Sequence, residues 1–296
     1  MKLLKKLLPL LLIFSMMLSF ASCRKNPDNG EGSDVPDDPT RYTVTVLNPL
    51  GKPLSGVTVY VHKDDGNDYN VCTVPAITDG TGKAAFTLDP SYSYSVQLAG
   101  IPSVYSALEG NNRAERYAFD SNNISVTVDL KEGYAPNSYA VGDYIANFTL
   151  TDVEGNKYEL YSLLSEKKVV LLNFWFYGCG PCAAEFPALN ASYLNYRDVA
   201  EVLAINDYPR ETVEHVTSYE SYRGFTLDMP LFKTEYGSEA SLARFPSDGY
   251  PTTVVIDRYG TVSLIHVGSN PSMSKWNALF DYYTSDTYDG TPFTDF

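Results

Sequence analysis

Cysteine and histidine are scarce in this chain: four and three among 296 residues. Two of the cysteines, Cys179 and Cys182, are separated by two residues, but Cys23, Cys72, His62, His215 and His266 all lie far from them in sequence. A CxxC that holds zinc needs a second Cys or His pair, so no metal is expected. Haem attachment would need a histidine directly after Cys182, and Ala183 stands there. Basic residues are also few, 22 Lys and Arg against 36 Asp and Glu, giving a formal charge of −14. With no basic cluster to offset this, nucleic acid is excluded as a partner. Long apolar runs are missing as well. The stretch Leu7 to Phe20 is too short to span a bilayer comfortably.

That stretch follows Lys2, Lys5 and Lys6 and suits the h-region of an export signal. It ends in Phe20-Ala21-Ser22-Cys23, which resembles a bacterial lipobox with Phe20 where leucine is more usual. The resemblance implies cleavage before Cys23 and lipidation of that residue, anchoring the chain in the cell envelope, facing the periplasm or the cell surface. An ordinary secretory signal with an incidental cysteine is the alternative. Loss of residues 1–22 removes three lysines and no acid, lowering the formal charge from −14 to −17. The exported compartment is oxidising, so a reactive dithiol there rests as a disulfide unless electrons are supplied.

What the chain does have is concentrated at Cys179-Gly180-Pro181-Cys182. Before it, Val169 to Trp175 is the β-branched and apolar run of a buried strand. After it, Ala183 to Tyr196 spaces Phe186, Leu189, Tyr193 and Leu194 helically, with Glu185 in the first turn. Cys179 is therefore predicted at a helix N-terminus, where unpaired N–H groups and the macrodipole favour a thiolate. Such placement lowers a cysteine pKa from about 8.5 into the range of roughly 3.5–7.5, and only the thiolate attacks disulfides. The second sulfur, one helical turn on, is close enough to close a ring. This is the pattern of a reversible redox couple that needs no cofactor beyond its own disulfide. A purely structural disulfide is the competing reading, although so short a loop adds little stability by chain entropy.

Around the motif the chain divides into segments. Residues 23–40, rich in Asp, Asn, Gly and Pro, suit a disordered tether behind the signal of 1–22. Residues 41–130 carry short strand patterns at Tyr42–Leu47, Val57–His62, Ala84–Leu88, Tyr92–Leu98 and Ile124–Leu130, separated by turn signals. That spacing predicts an all-β, immunoglobulin-like sandwich. Its wording, "NPLGKPLSGVTVYV", "TDGTGKAAFTL" and "YSYSVQL", resembles the carboxypeptidase-regulatory-like and Cna-B-like domains and implies a fold without chemistry. Asp64-Asp65-Gly66-Asn67-Asp68 lacks the glycine position and later Glu of a calcium loop and is read as a solvated hairpin tip. Cys72 is read as a buried free thiol. Residues 131–140 form a linker. In 141–296 strands alternate with helices: a strand at Lys157–Leu160, a turn of helix through Leu164, a strand at Glu201–Asn206, and a helix at Arg210–Tyr222. Strands at Thr252–Asp257 and Thr261–Val267 and a helix at Met273–Tyr283 complete the pattern. It predicts an α/β fold, a mixed central sheet with helices on both faces.

Several segments in the right order carry a second resemblance: "VGDYIANFTLTDVEGNKYELYSLL", "NFW", CGPC, "EFP" and "GYPTTVVIDRYGTV". Over roughly residues 140–285 the chain resembles the thioredoxin superfamily. Within it, the likeness is to exported, membrane-anchored TlpA/ResA-like thiol–disulfide oxidoreductases of the redoxin/AhpC-TSA group. The resemblance implies that Cys179 attacks, Cys182 resolves, and Pro251 is the cis-proline beside the dithiol. Glu185 matches a family glutamate that would accept the Cys182 proton; a helix-dipole partner is the equal alternative. Asn173 stands where thioredoxin keeps a buried aspartate. Gly178, Gly180, Pro181, Tyr250 and Trp175 would form the substrate groove, with Gly178 replacing the usual tryptophan, Tyr250 bulkier than usual and Trp175 packing beneath the active-site loop. The implied partners are protein thiols and disulfides, apocytochrome c among them, and a membrane electron donor. The Gly-Pro between the cysteines favours the reducing direction. A peroxidase is disfavoured, since the Pro-and-Thr-framed single cysteine of peroxiredoxins is missing. A surface lipoprotein whose sandwich binds glycan or protein, with the redox fold as scaffold, is the reading from another class.

Overall fold

The computed structural model describes residues 40–64, 75–108 and 116–296. The signal, Cys23, most of the tether, Cys72 and all but Asp64 of the acidic tip lie outside the described residues. The chain separates into two compact units, one holding residues 40–46, 55–100 and 108–126 among those described, the other 47–54, 101–107 and 127–296.

In the first unit, β1 (Thr40–Leu47), β2 (Thr58–Lys63), β3 (Ala76–Ile77), β4 (Lys83–Leu88), β5 (Tyr94–Ala99), β7 (Tyr117–Ala118) and β8 (Asn123–Thr127) form two sheets, ordered β4-β1-β8 and β3-β2-β5-β7. A short pair, β6 (Tyr105–Ser106) with β9 (Asp129–Leu130), belongs to the second unit. Alternation is regular: Tyr42, Val44 and Val46 of β1 and Ala84, Phe86 and Leu88 of β4 point inward. Tyr42 meets Tyr94 of the other sheet edge-on, ring centroids 5.8 Å apart. The unit is a β-sandwich. The single strand expected at Ile124–Leu130 is two pieces, broken at Val128.

The second unit adds β10 (Thr149–Thr151), β11 (Lys157–Glu159), α1 (Leu160–Glu166), β12 (Val169–Phe174), α2 (Gly180–Tyr196), β13 (Ala200–Asn206), α3 (Val213–Thr217), α4 (Tyr219–Arg223), β14 (Leu231–Lys233), β15 (Thr252–Asp257), β16 (Val262–Val267) and α5 (Met273–Thr284). Its main sheet runs β14-β13-β12-β15-β16, parallel across β14, β13 and β12 and antiparallel across β12, β15 and β16. The two-residue period of the buried strands sorts their side chains. Val169 and Leu171 of β12, Val202 and Ala204 of β13 and Val255 of β15 join a core with Phe186 and Leu189 of α2 and Trp276, Leu279 and Phe280 of α5. Val170, Leu172, Phe174, Leu203, Val254 and Ile256 join a second core with Leu160 and Leu164 of α1. This is the mixed sheet covered on both faces that the pattern predicted. Tyr139, in the segment read as linker, is buried in the second core.

Three details differ from the sequence reading. The helix after the motif starts at Gly180 instead of Ala183, because Pro181 at the second helical position lacks only an N–H that would be unpaired anyway. Glu185 is consequently outside the first turn, and Leu194 points to solvent. The helix expected at Arg210–Tyr222 is two five-residue helices, α3 and α4, separated at Ser218, whose hydroxyl donates to the Glu214 carbonyl.

Candidate active site

Cys179 caps α2, and its sulfur lies 3.1 Å from the Cys182 backbone N, which points its hydrogen at it. The two cysteines are joined in a disulfide with Cα atoms 5.3 Å apart. Cys182 is completely buried and Cys179 is 2% exposed, while the flanking Gly178, Gly180 and Pro181 are exposed. Among the described residues no group of His, Cys, Asp and Glu is arranged to hold a metal ion.

Beneath the pair lies a buried polar cluster fixed by strand register. Asn173 sits on the α2 side of β12, opposite Thr253 of β15. Its amide donates to Thr253 Oγ1 at 3.0 Å and to Glu185 Oε1 at 2.9 Å. The second Glu185 oxygen accepts the Asn270 N–H at 3.0 Å. Glu185 is one helical turn past Cys182 on the same face of α2, with no exposed surface. Burial raises its pKa from 4.5 to about 7, against the lowering effect of these two hydrogen bonds. Glu185 lies beyond the first turn of α2, where the helix-dipole reading had set it. A carboxyl deep in the helix and poised near neutrality can exchange a proton where a first-turn surface acid could not usefully do so.

The loop after β16 closes this cluster. Gly268, at φ 115°, donates its N–H to the Pro251 carbonyl at 2.9 Å. Ser269 Oγ donates to the Pro181 carbonyl at 2.8 Å, and Trp276 Nε1 to the Asn270 carbonyl at 2.7 Å. The Tyr250–Pro251 peptide is cis. Tyr250 is tethered by its hydroxyl to the buried carboxylate of Asp207 at 2.7 Å, which leaves its ring edge-on to Phe176, 5.5 Å away. Burial and Asp207 together push the Tyr250 hydroxyl pKa well above its ordinary value.

Trp175 packs beneath the motif loop, as expected, and does not line the groove. It has no exposed surface and underlies the motif loop, its ring 4.3 Å from that of Tyr219 on α4 and 5.6 Å from that of Phe186 on α2. An indole so enclosed supports the groove floor without lining it. Sequence reading placed a helix at Arg210–Tyr222 but missed Asp207, Asn270 and the contacts by which Glu211, Tyr219 and Arg223 surround Tyr177 and Cys179. Only the acid at the end of β13 gave a hint, since strand ends of parallel sheets often carry site residues.

Known proteins are similar over this unit. The model of the AhpC/TSA family matches residues 141–265. The thioredoxin-like protein YneN of Bacillus subtilis is 32% identical over 129 residues, 43% of this chain and 72% of that protein. The thiol-disulfide oxidoreductase ResA of Halalkalibacterium halodurans is 33% identical over 140 residues, 46% of this chain and 73% of that protein. A thioredoxin family thiol:disulfide interchange protein from Chlorobium tepidum, of known crystal structure, gives a TM-score of 0.40 at 21% identity, covering 50% of this chain and all of that one.

The buried carboxyl carries a stability prediction. In the unfolded chain Glu185 ionises near 4.5, in the folded chain near 7. Between those values the folded state keeps a proton that the unfolded state has released. Its stabilising contribution is therefore whole below the lower value and is lost as pH rises through the upper one. Urea unfolding at about pH 5 and about pH 8.5 should show the oxidised wild type losing about 2–3 kcal/mol relative to Glu185→Gln. Parallel pH profiles for the two proteins would contradict the assignment.

Proposed function

We propose, for a chain that belongs to the ResA-like, thioredoxin-type thiol–disulfide oxidoreductases, a dithiol enzyme that reduces disulfides of protein substrates through Cys179 and Cys182. The supporting observation is the disulfide at the N-terminus of α2 with an elevated-pKa carboxyl, Glu185, one turn below it. In the reduced enzyme the Cys179 thiolate attacks a substrate disulfide, forming a mixed disulfide and expelling one substrate thiolate, which takes a proton from water. The Cys182 thiol then passes its proton to the Glu185 carboxylate, and the resulting thiolate attacks Cys179 Sγ. That step expels the second substrate thiolate and leaves the Cys179–Cys182 disulfide, so two electrons move from enzyme to substrate. A dithiol donor must then reverse the sequence on the enzyme. The helix N-terminus lowers the cost of negative charge on Cys179, while Cys182, enclosed by the helix body, needs a base.

Pro251 carries the backbone beside the dithiol, and the exposed Gly178, Gly180, Pro181 and the half-buried Tyr250 line the surface that meets substrate. The amino-terminal pattern supports export, cleavage before Cys23 and a lipid anchor, with residues 23–40 as tether and 41–130 and 141–296 as the two folded parts. No helix among the described residues is long and apolar enough to cross a membrane. On this reading electrons come from a membrane donor, and substrates are envelope proteins with oxidised cysteines, apocytochromes c included.

Two experiments test the proposal. With dithiothreitol as donor, the chain should reduce insulin, and Cys179→Ser should lose that turnover. Cys182→Ser should accumulate a mixed disulfide on Cys179, and Glu185→Gln should slow its resolution by roughly 10²-fold near neutral pH. Wild-type turnover by Cys179→Ser would overturn the dithiol reading, and wild-type turnover by Glu185→Gln would leave that carboxyl no part in the chemistry. For the anchor, detergent partition of Cys23→Ala from expressing bacteria should move the chain out of the detergent phase, and unchanged partition would sink the lipid assignment.

A further inference from the structure

The loop that delivers Cys179 is gripped from both sides by one charge of each sign. The Tyr177 N–H donates to Glu211 Oε2 at 2.8 Å, and the Asn206 amide steadies the same oxygen at 2.7 Å. From α4, Arg223 Nη2 donates to the Tyr177 carbonyl at 2.9 Å and to the Cys179 carbonyl at 3.3 Å. The Tyr177 ring stacks on Tyr222 at 4.4 Å, and the guanidinium lies 5.0 Å from the Tyr222 ring and 5.5 Å from that of Tyr219. Arg223 forms no ion pair among the described residues, and the Tyr219 hydroxyl faces its guanidinium as a neutral hydrogen-bond partner.

This placement runs against ordinary electrostatics. A cation beside a helix N-terminus is unfavourable, since the macrodipole is positive there. The Cys179 carbonyl that receives Arg223 also receives the Ala183 N–H at 3.2 Å, so the guanidinium sits on the first turn of α2. A fixed cation at that place gains its compensation when an anion forms close by, and the group at that cap able to become one is the sulfur of Cys179. The other charged or titratable groups around the loop are Glu185 on α2, Glu211 after β13, His215 edge-on to the Tyr177 ring, and Tyr219 on α4. Two of these are acids, which oppose a thiolate. Arg223 is the permanent cation among them.

We infer that Arg223 is a positioning residue of the dithiol: it fixes the Tyr177–Cys179 backbone, and its charge stabilises the thiolate of reduced Cys179 against the opposing field of Glu211. This rests on the dithiol chemistry proposed above and adds to it a local control of the reactivity of Cys179. Segment 210–224 then tunes the attacking sulfur from outside the motif helix, at the loop where Gly178 leaves no side chain over the approach.

The experiment uses the full chain, reduced, and reads the pH midpoint of Cys179 alkylation by iodoacetamide together with the equilibrium against glutathione. Arg223→Gln should raise the midpoint, weakening the thiol acidity by roughly tenfold, the order expected of one partly screened unit charge nearby. It should also shift the glutathione equilibrium toward the enzyme disulfide by several-fold. Arg223→Lys should raise the midpoint by clearly less than Arg223→Gln, because it keeps the charge while losing the planar fork that holds the two carbonyls. Glu211→Gln should move the midpoint the other way, downward, because it removes an acid and retains an amide at the same site. A purely structural clamp predicts shifts of the same sign in all three variants, and that result would overturn the inference. So would an unmoved midpoint in folded Arg223→Gln. If that variant does not fold, Arg223→Lys decides: a midpoint raised by about tenfold or more with the charge retained would overturn the charge assignment. A wild type whose Cys179 does not exchange with glutathione at all would instead refute the dithiol reading itself.

Discussion

The hydrogen bond from Asn173 to Glu185 is the contact on which the rest of the site depends. A carboxyl with no exposed surface in a sheet-and-helix core is costly unless both oxygens find donors. One donor comes from the C-terminal end of β12, where register with β15 lets Thr253 hold the Asn173 amide in place. The other is the backbone of Asn270, and that loop is in turn held by Gly268 to Pro251, Ser269 to Pro181 and Trp276 to Asn270. Satisfying one buried acid thus ties the motif helix, the cis-proline strand and the last helix into a single frame. Removing either donor would leave a buried acceptor unpaired, which costs more than the bond itself contributes.

The same frame separates the two sulfurs chemically. Cys179 stands at the open end of α2, where helix amides favour negative charge. Cys182 is enclosed one turn in, where negative charge is disfavoured and a proton must be removed before it can act. An acid held near pH 7 suits that task better than one at 4.5, because base strength and the fraction ionised are then balanced near neutrality. An amide at position 173 completes the division. It cannot take the proton, so on the proposed mechanism the exchangeable site lies on the helix that carries the dithiol.

Much of this was legible in the chain. The strand before the motif and the helix after it follow from period and β-branching, and the mixed sheet follows from alternating patterns. The cap at Cys179 was legible, but the apolar spacing shows only from Ala183 onward, because Gly180 and Pro181 carry no helical periodicity although Pro costs little in a first turn. Segment 210–223 contains Thr, Ser, Tyr and Val, whose helix propensities are too close to decide between one helix and two, and the Ser218 hydroxyl decided it. The strands β10 and β14, three residues each, are too short to show a period. The groups that condition Cys179 were hidden for another reason. Glu211 and Arg223 reach it through backbone carbonyls and amides across 34 to 46 residues of sequence, and Asn270 acts through an N–H that every residue but proline possesses. No side-chain pattern could reveal such a donor.

The protonation state of Glu185 is the most direct reading of this account. Carboxyl-selective carbon NMR of the oxidised chain, with the Glu185 resonance assigned from the Glu185→Gln spectrum, would follow that one group across the pH range. The account predicts a single titration with a midpoint about 7. A midpoint in the ordinary glutamate range, about 4.3, would mean that the carboxyl is ionised throughout the neutral range and would contradict its role as the proton acceptor for Cys182.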